Sequence, residues 1–195
     1  MCIRDSLRAT FARALAALNQ HDSVGLFPFA DQLRAALPAK SGNVRKMRIA
    51  EALAAQTPGG ATDFVASLGK FAQMGLRKGL LVVVSDFFDP GGIDAVRESL
   101  GRQRHRLVLV QLVRQSDRAP ELQGDLLLRD CESGQEHDVS VTPEVLAAYK
   151  RAYESHQEGL REFAVQRQAG LVQVDVDQPV LPQLSQLFET GALVV

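Results

Sequence analysis

An α/β fold, with a parallel sheet set between helices, is what this sequence predicts, and three observations carry the prediction. Two continuous apolar runs, Gly79-Leu80-Leu81-Val82-Val83-Val84 and Leu107 to Val113, have the unbroken hydrophobic character of strands covered on both faces. Between them lies a helical pattern of Ile93, Val96 and Leu100, opened by the turn Pro90-Gly91-Gly92. A third buried run, Leu171 to Val176, follows a long amphipathic stretch, so strand and helix alternate in the rhythm of right-handed parallel crossovers.

Taken in order, Leu7, Phe11, Ala14, Leu15 and Leu18 recur at threes and fours and predict a first helix, closed by a turn over Asn19 to Asp22. Val24, Leu26, Phe27 and Phe29 read as a short strand, with a weaker extended piece from Leu33 to Leu37 and a loop from Pro38 to Asn43. Met47, Ala50 and Leu53 carry a helix to about Gln56, which Thr57-Pro58-Gly59-Gly60 stops. The next helix starts at Thr62 or Asp63 and buries Phe64, Leu68 and Phe71. The Leu80 strand, expected in the middle of the sheet, ends at Ser85-Asp86. After Val113 the rhythm breaks. Asp125 to Arg129 and Asp138 to Val141, joined by Cys131-Glu132-Ser133-Gly134, predict an antiparallel hairpin inserted at about 124–142. Pro143 suits the first turn of a long helix whose stripe is Leu146, Tyr149, Tyr153, Leu160 and Phe163, with Gly170 expected as its cap. Leu181, Leu184, Leu187 and Phe188 predict a closing helix before the apolar tail.

Composition narrows the function classes. At 195 residues the chain is one domain, and its 22 basic and 23 acidic residues are interspersed to a net charge of -1, so no long-range field gathers nucleic acid or an anionic membrane. Cys2 and Cys131 have neither zinc-site spacing nor a disulfide framework, which fits a reducing compartment and a cytoplasmic location. No apolar run approaches the roughly 20 residues a membrane helix needs, and no signal peptide is legible. The clusters Arg45-Lys46-Arg48 and Arg102 with Arg104-His105-Arg106 are short and lack interleaved aromatics, so they read as solvated helix ends.

Ligands of an open parallel sheet bind beyond the carboxyl ends of its strands. Two loops therefore matter, Gly59-Gly60-Ala61-Thr62-Asp63 and Ser85-Asp86-Phe87-Phe88-Asp89. Capping explains Thr62, Asp63 and Asp89 taken one at a time. Taken together, Thr62 and Asp86 supply hard oxygen ligands of the kind magnesium takes. Enzyme readings are weaker. Ser85 lacks the glycines of a nucleophile elbow, His21, His105, His137 and His156 are scattered, and Gly59-Gly60 lacks the lysine of a phosphate loop. His156 falls on the stripe of the long helix, where a core or boundary histidine is the expected state. A metal-assisted hydrolase using Asp86 and Asp89 as paired carboxylates, and a purely structural domain, are the alternatives.

Pro58-Gly59-Gly60-Ala61-Thr62-Asp63, Gly79 to Phe87, Arg104 to Gln111 and the hairpin from Gly124-Asp125 to Val141-Thr142 together resemble the bacterial family catalogued as domain of unknown function 58, from Leu7 onward. The resemblance implies a Rossmann-like, von Willebrand A-type fold over residues 7–195, acting as a non-enzymatic protein-interaction module alongside MoxR-type AAA+ ATPases in assembling or maturing other proteins. It also implies a metal face built from a first-loop Asp-x-Ser-x-Ser, a Thr matched by Thr62 and an Asp matched by Asp86, with a partner's carboxylate completing the coordination. The first motif does not fit here, because Asp5 is followed by Leu7 and Ala9 where the serines belong. Met1 to Ser6 are accordingly read as a non-native leader on a domain lacking its first strand, with a naturally degenerate start and no metal site as the alternative. Magnesium is then expected only where the full-length protein, anchored in the membrane in some relatives, carries that motif. The missing strand would lie between the strand at Val24 to Phe29 and that at Leu80 to Val84, exposing an edge of each.

Overall fold

The computed structural model describes residues 23–30, 32–40, 44–56, 62–130, 134–180 and 182–183. The predicted Leu7 helix, the glycines of the Pro58 to Ala61 loop and nearly all of the closing helix lie outside these residues. In chain order the elements are β1 (Val24–Leu26), β2 (Leu37–Lys40), α1 (Val44–Ala54), α2 (Phe64–Gln73), β3 (Leu80–Ser85), α3 (Gly92–Gly101) and β4 (Arg106–Val113). There follow a single turn α4 (Gln115–Arg118), the hairpin strands β5 (Gly124–Arg129) and β6 (Glu136–Val141), α5 (Pro143–Arg167) and β7 (Gly170–Asp175).

The predicted parallel sheet is present, in the order β3-β4-β7, with Leu81 opposite Leu107 and Val110 opposite Val172. Its centre is β4, where every residue from Leu107 to Leu112 is buried. β3 lies at an edge of this three-stranded sheet, with Leu80 49% exposed. An unbroken apolar run reports that the two faces of a strand are covered and carries no information about lateral neighbours. One face packs Val83, Leu107 and Leu109 against Phe64, Leu68, Val96, Leu100, Leu160 and Phe163 from α2, α3 and α5. The other gathers Val108, Val110, Leu112, Val172 and Val174 around Val180.

β1 and β2 form a separate antiparallel pair, with Val24 opposite Lys40 and Leu26 opposite Leu37. Pairing has overridden the loop expected from Pro38, which is tolerated because so short a ribbon leaves edge positions whose N–H is not needed. Its apolar side, Leu26, packs on Ile49 and Leu53 of α1. β1 is thus not an edge of the parallel sheet, whereas the outer edge of β3 has no strand partner among the described residues. The expected hairpin is present, with its second strand starting at Glu136 rather than Asp138, while Cys131 to Ser133 of the expected turn lie outside the described residues.

Thr142 caps α5 by accepting from Val145 N–H, with Pro143 in the first turn as expected. The helix ends at Gln168 rather than Gly170. Gln168 takes the left-handed conformation (φ 50°) and its N–H closes on Ala164 O and Val165 O. Gly170 opens β7, where a side chain would come within 3.3 Å of Val108 Cγ2. Inside α5, Gly159 has a comparable role: a Cβ there would sit 2.8 Å from Ile93 Cγ1 of α3. Gly→Ala in a helix interior ordinarily stabilises by about 1 kcal/mol. Overpacking against a β-branched neighbour costs roughly 1–3 kcal/mol. Gly159→Ala should therefore lower stability by about 1 kcal/mol in urea unfolding, and a variant more stable than the parent would show that α3 and α5 do not meet at this glycine.

Candidate functional site

The carboxyl end of the sheet is shaped by the turn after β3. Ser85 is buried, and its Oγ accepts from Phe87 N–H at 3.0 Å. Asp86 Oδ1 accepts from Phe88 N–H at 3.2 Å and from the Ser85 hydroxyl at 3.4 Å. Asp89 Oδ1 accepts from Gly91 N–H at 2.8 Å, so Asp89 holds the turn into α3 rather than capping the helix itself. Between these two Asp turns Phe87 is forced to φ 62°, a costly conformation for a bulky residue. The result is a division of labour between neighbours. Phe87 turns wholly into the core, and Phe88 stands 45% exposed beside Asp86.

The second loop meets the first through aromatic rings. Asp63 caps α2 by accepting from Ala66 N–H at 2.8 Å, which places Phe64 edge-to-face on Phe87 at 5.7 Å. Thr62 and Asp86, both half-buried, therefore flank one ring contact, Thr62 two residues before Phe64 and Asp86 one before Phe87. Beneath them runs a polar network. Gln173 Nε2 donates to Gln111 Oε1 and to Gln157 Oε1, each at 2.9 Å, and Gln111 Nε2 reaches Asp86 O at 3.5 Å. Asp86 also lines a narrow cleft with Arg114, Asp117 and Val176.

His156 belongs to this region, which the helical periodicity of its sequence could not reveal. Its ring stacks on Phe88 at 4.7 Å, and Tyr153 and Tyr149 continue the row along α5. Burial holds the His156 imidazolium below its ordinary range, and the Asp86 carboxylate partly opposes that shift. The linkage has a definite sign. With the folded-state pKa depressed, the unfolded chain binds the proton more readily, so this group leaves stability intact above about pH 6.5 and removes it as pH falls below that value. The melting temperature should fall between neutral pH and pH 5. His156→Phe should flatten that slope, and an unchanged slope in thermal melts would assign it to other groups.

Ser85 Oγ is committed to the turn, and His156 Nε2 finds no hydrogen-bond partner among the described residues, so no Ser-His relay runs here. The Asp86 and Asp89 carboxylates each serve a separate turn. A resident magnesium ion does not fit the described residues by themselves. Thr62 and Asp86 are two oxygen donors where the ion takes about six, and no group of three His, Cys, Asp or Glu side chains that could hold a metal occurs among them. No helix of the described residues is long and apolar enough to cross a membrane.

Residues 4–159 match the family described as "Protein of unknown function DUF58". Among solved structures, the conserved hypothetical protein BatB from Bacteroides thetaiotaomicron is similar, with a TM-score of 0.50 and 14% identity over 97% of this chain and 86% of that one. An aerotolerance-related membrane protein from Bacteroides fragilis NCTC 9343, crystallised with multiple mutations to serines, gives a TM-score of 0.53 and 17% identity over 98% and 89%. At such identities the likeness is one of fold. No curated protein matches the chain significantly.

Proposed function

This chain belongs to the DUF58 family, and we propose that it is a protein-interaction module of von Willebrand A type, working through the face formed by Thr62 and Asp86. The observation that carries the reading is the turn after β3. Strained backbone at Phe87, two Asp turns and an exposed Phe88 present Asp86 rigidly beside an aromatic surface at the carboxyl edge of a parallel sheet. Where the protein carries an Asp-x-Ser-x-Ser first loop, Thr62 and Asp86 would add their oxygens to a magnesium site left open for a partner's carboxylate. The partner in this reading is a MoxR-type AAA+ ATPase or the protein it matures.

The alternative, a hydrolase using Asp86 and Asp89, needs a third converging acid, base or nucleophile. The commitment of the Asp86 and Asp89 carboxylates to two separate turns favours binding. The test is partner capture by a protein carrying the first-loop motif, in magnesium and in chelator. Capture in magnesium and its loss in chelator is the expected result, and capture indifferent to chelator would sink the metal-dependent reading.

A further inference from the structure

At the amino end of the sheet, opposite Asp86, β3 and β4 start side by side. Gly79 N–H donates to His105 Nδ1 at 3.2 Å, and Arg106 N–H donates to Gly79 O at 3.0 Å. From these tied strand starts Lys78, Arg104 and Arg106 line an open recess of about 460 Å³, with the exposed Leu80 as its apolar wall. All three cations are exposed, and none makes an ion pair or a side-chain hydrogen bond with a described residue. A cluster of like charges held together without a counter-charge attracts an external anion. The cluster read from sequence as a solvated helix end is thus a shaped, cationic surface with an apolar wall.

The complementary surface is on the same chain. In the β5–β6 hairpin, Asp125 lies opposite Ser140, Leu127 opposite Asp138 and Arg129 opposite Glu136, so these six share one face. That face carries three carboxylates against one guanidinium, and Leu127 stands 59% exposed among them. Asp138 and Glu136 make no ion pair with any described residue. On the opposite face the paired Leu126 and Val139 are half-buried. The recess sits at the start of the eight-residue β4, which runs roughly 26 Å, and the hairpin follows beyond its end; among the described residues no ion pair joins the two surfaces within one chain, which leaves both open to a second copy.

We propose that the recess binds the outer hairpin face of a second copy of this chain, head to tail, with Leu127 against Leu80 and with Asp138 and Glu136 among Lys78, Arg104 and Arg106. The contact is heterologous, so it propagates into an open chain or closes into a ring. Being built from exposed ion pairs it is weak and screened by salt.

Sedimentation equilibrium of three variants decides it. Arg104→Glu/Arg106→Glu and Glu136→Lys/Asp138→Lys should each abolish self-association, because each makes recess and hairpin alike in sign. Mixed in equal amounts they should associate again, since each chain's recess then opposes the other's hairpin. Lys150→Glu/Arg151→Glu, with the same change in charge outside both surfaces, should associate as wild type does. Raising salt from about 0.1 M to about 1 M, where the screening length falls from roughly 10 Å to roughly 3 Å, should weaken wild-type association at least tenfold. Association that survives high salt and both double variants would point to pairing along the open edge of β3 and overturn the proposal. So would a mixture that stays monomeric, or a monomeric wild type whose recess binds anionic lipid vesicles instead.

Discussion

Phe87→Ala should lower stability by about 3–5 kcal/mol, the cost of emptying a wholly buried aromatic site. That is a large part of the roughly 5–15 kcal/mol that holds a domain of this size together. The ring closes the core between Phe64 and the underside of the site, edge-to-face on Phe64, which in turn meets Phe29 at 5.8 Å. A second variant isolates the backbone contribution. At φ 62° an Ala pays for its Cβ and a Gly does not. Phe87→Gly should therefore be as stable as Phe87→Ala or more so, reversing the usual order. Urea unfolding of the three proteins checks both points. An Ala variant within about 1 kcal/mol of the parent, or clearly more stable than the Gly variant, would show that neither the cavity nor the strain has the weight given to it here.

Asp86→Ala and Thr62→Ala should each weaken partner binding at least tenfold, about 1.4 kcal/mol or more, in a protein that carries the first-loop motif. Neither should unfold the domain. Asp86→Ala loses the hydrogen bonds from Phe88 N–H and from the Ser85 hydroxyl, worth roughly 0.5–1.5 kcal/mol each. Thr62 precedes the helix cap without being it, since the cap is Asp63. Asp86→Asn sharpens the test. It keeps an oxygen for Phe88 N–H but removes the charge, so it should bind partner as poorly as Asp86→Ala while melting closer to the parent. Lys70→Ala, on the far end of α2, serves as control. If the loop variants bind as well as Lys70→Ala does, Thr62 and Asp86 are structural residues and the interaction face lies elsewhere.

Much of the architecture was legible in the residues themselves. Continuous apolar runs marked β4 and β7, Pro143 marked the first turn of α5, and two short segments about a Gly-containing turn marked the hairpin, because each signal is local and its physics acts within a few residues. The same locality placed Asp86 at a strand end and Asp63 at a helix start. Three matters were decided only by tertiary structure. The edge position of β3 follows from which strands pair, and side-chain pattern records faces rather than neighbours. The shift of β2 onto Pro38 came from pairing with β1, which overrode a loop-forming sequence. His156 joined the site because α5 lies across the turn after β3, bringing its ring onto Phe88. Those two residues are far apart in the chain, and contact between distant residues is a property of packing that periodicity along one helix does not contain.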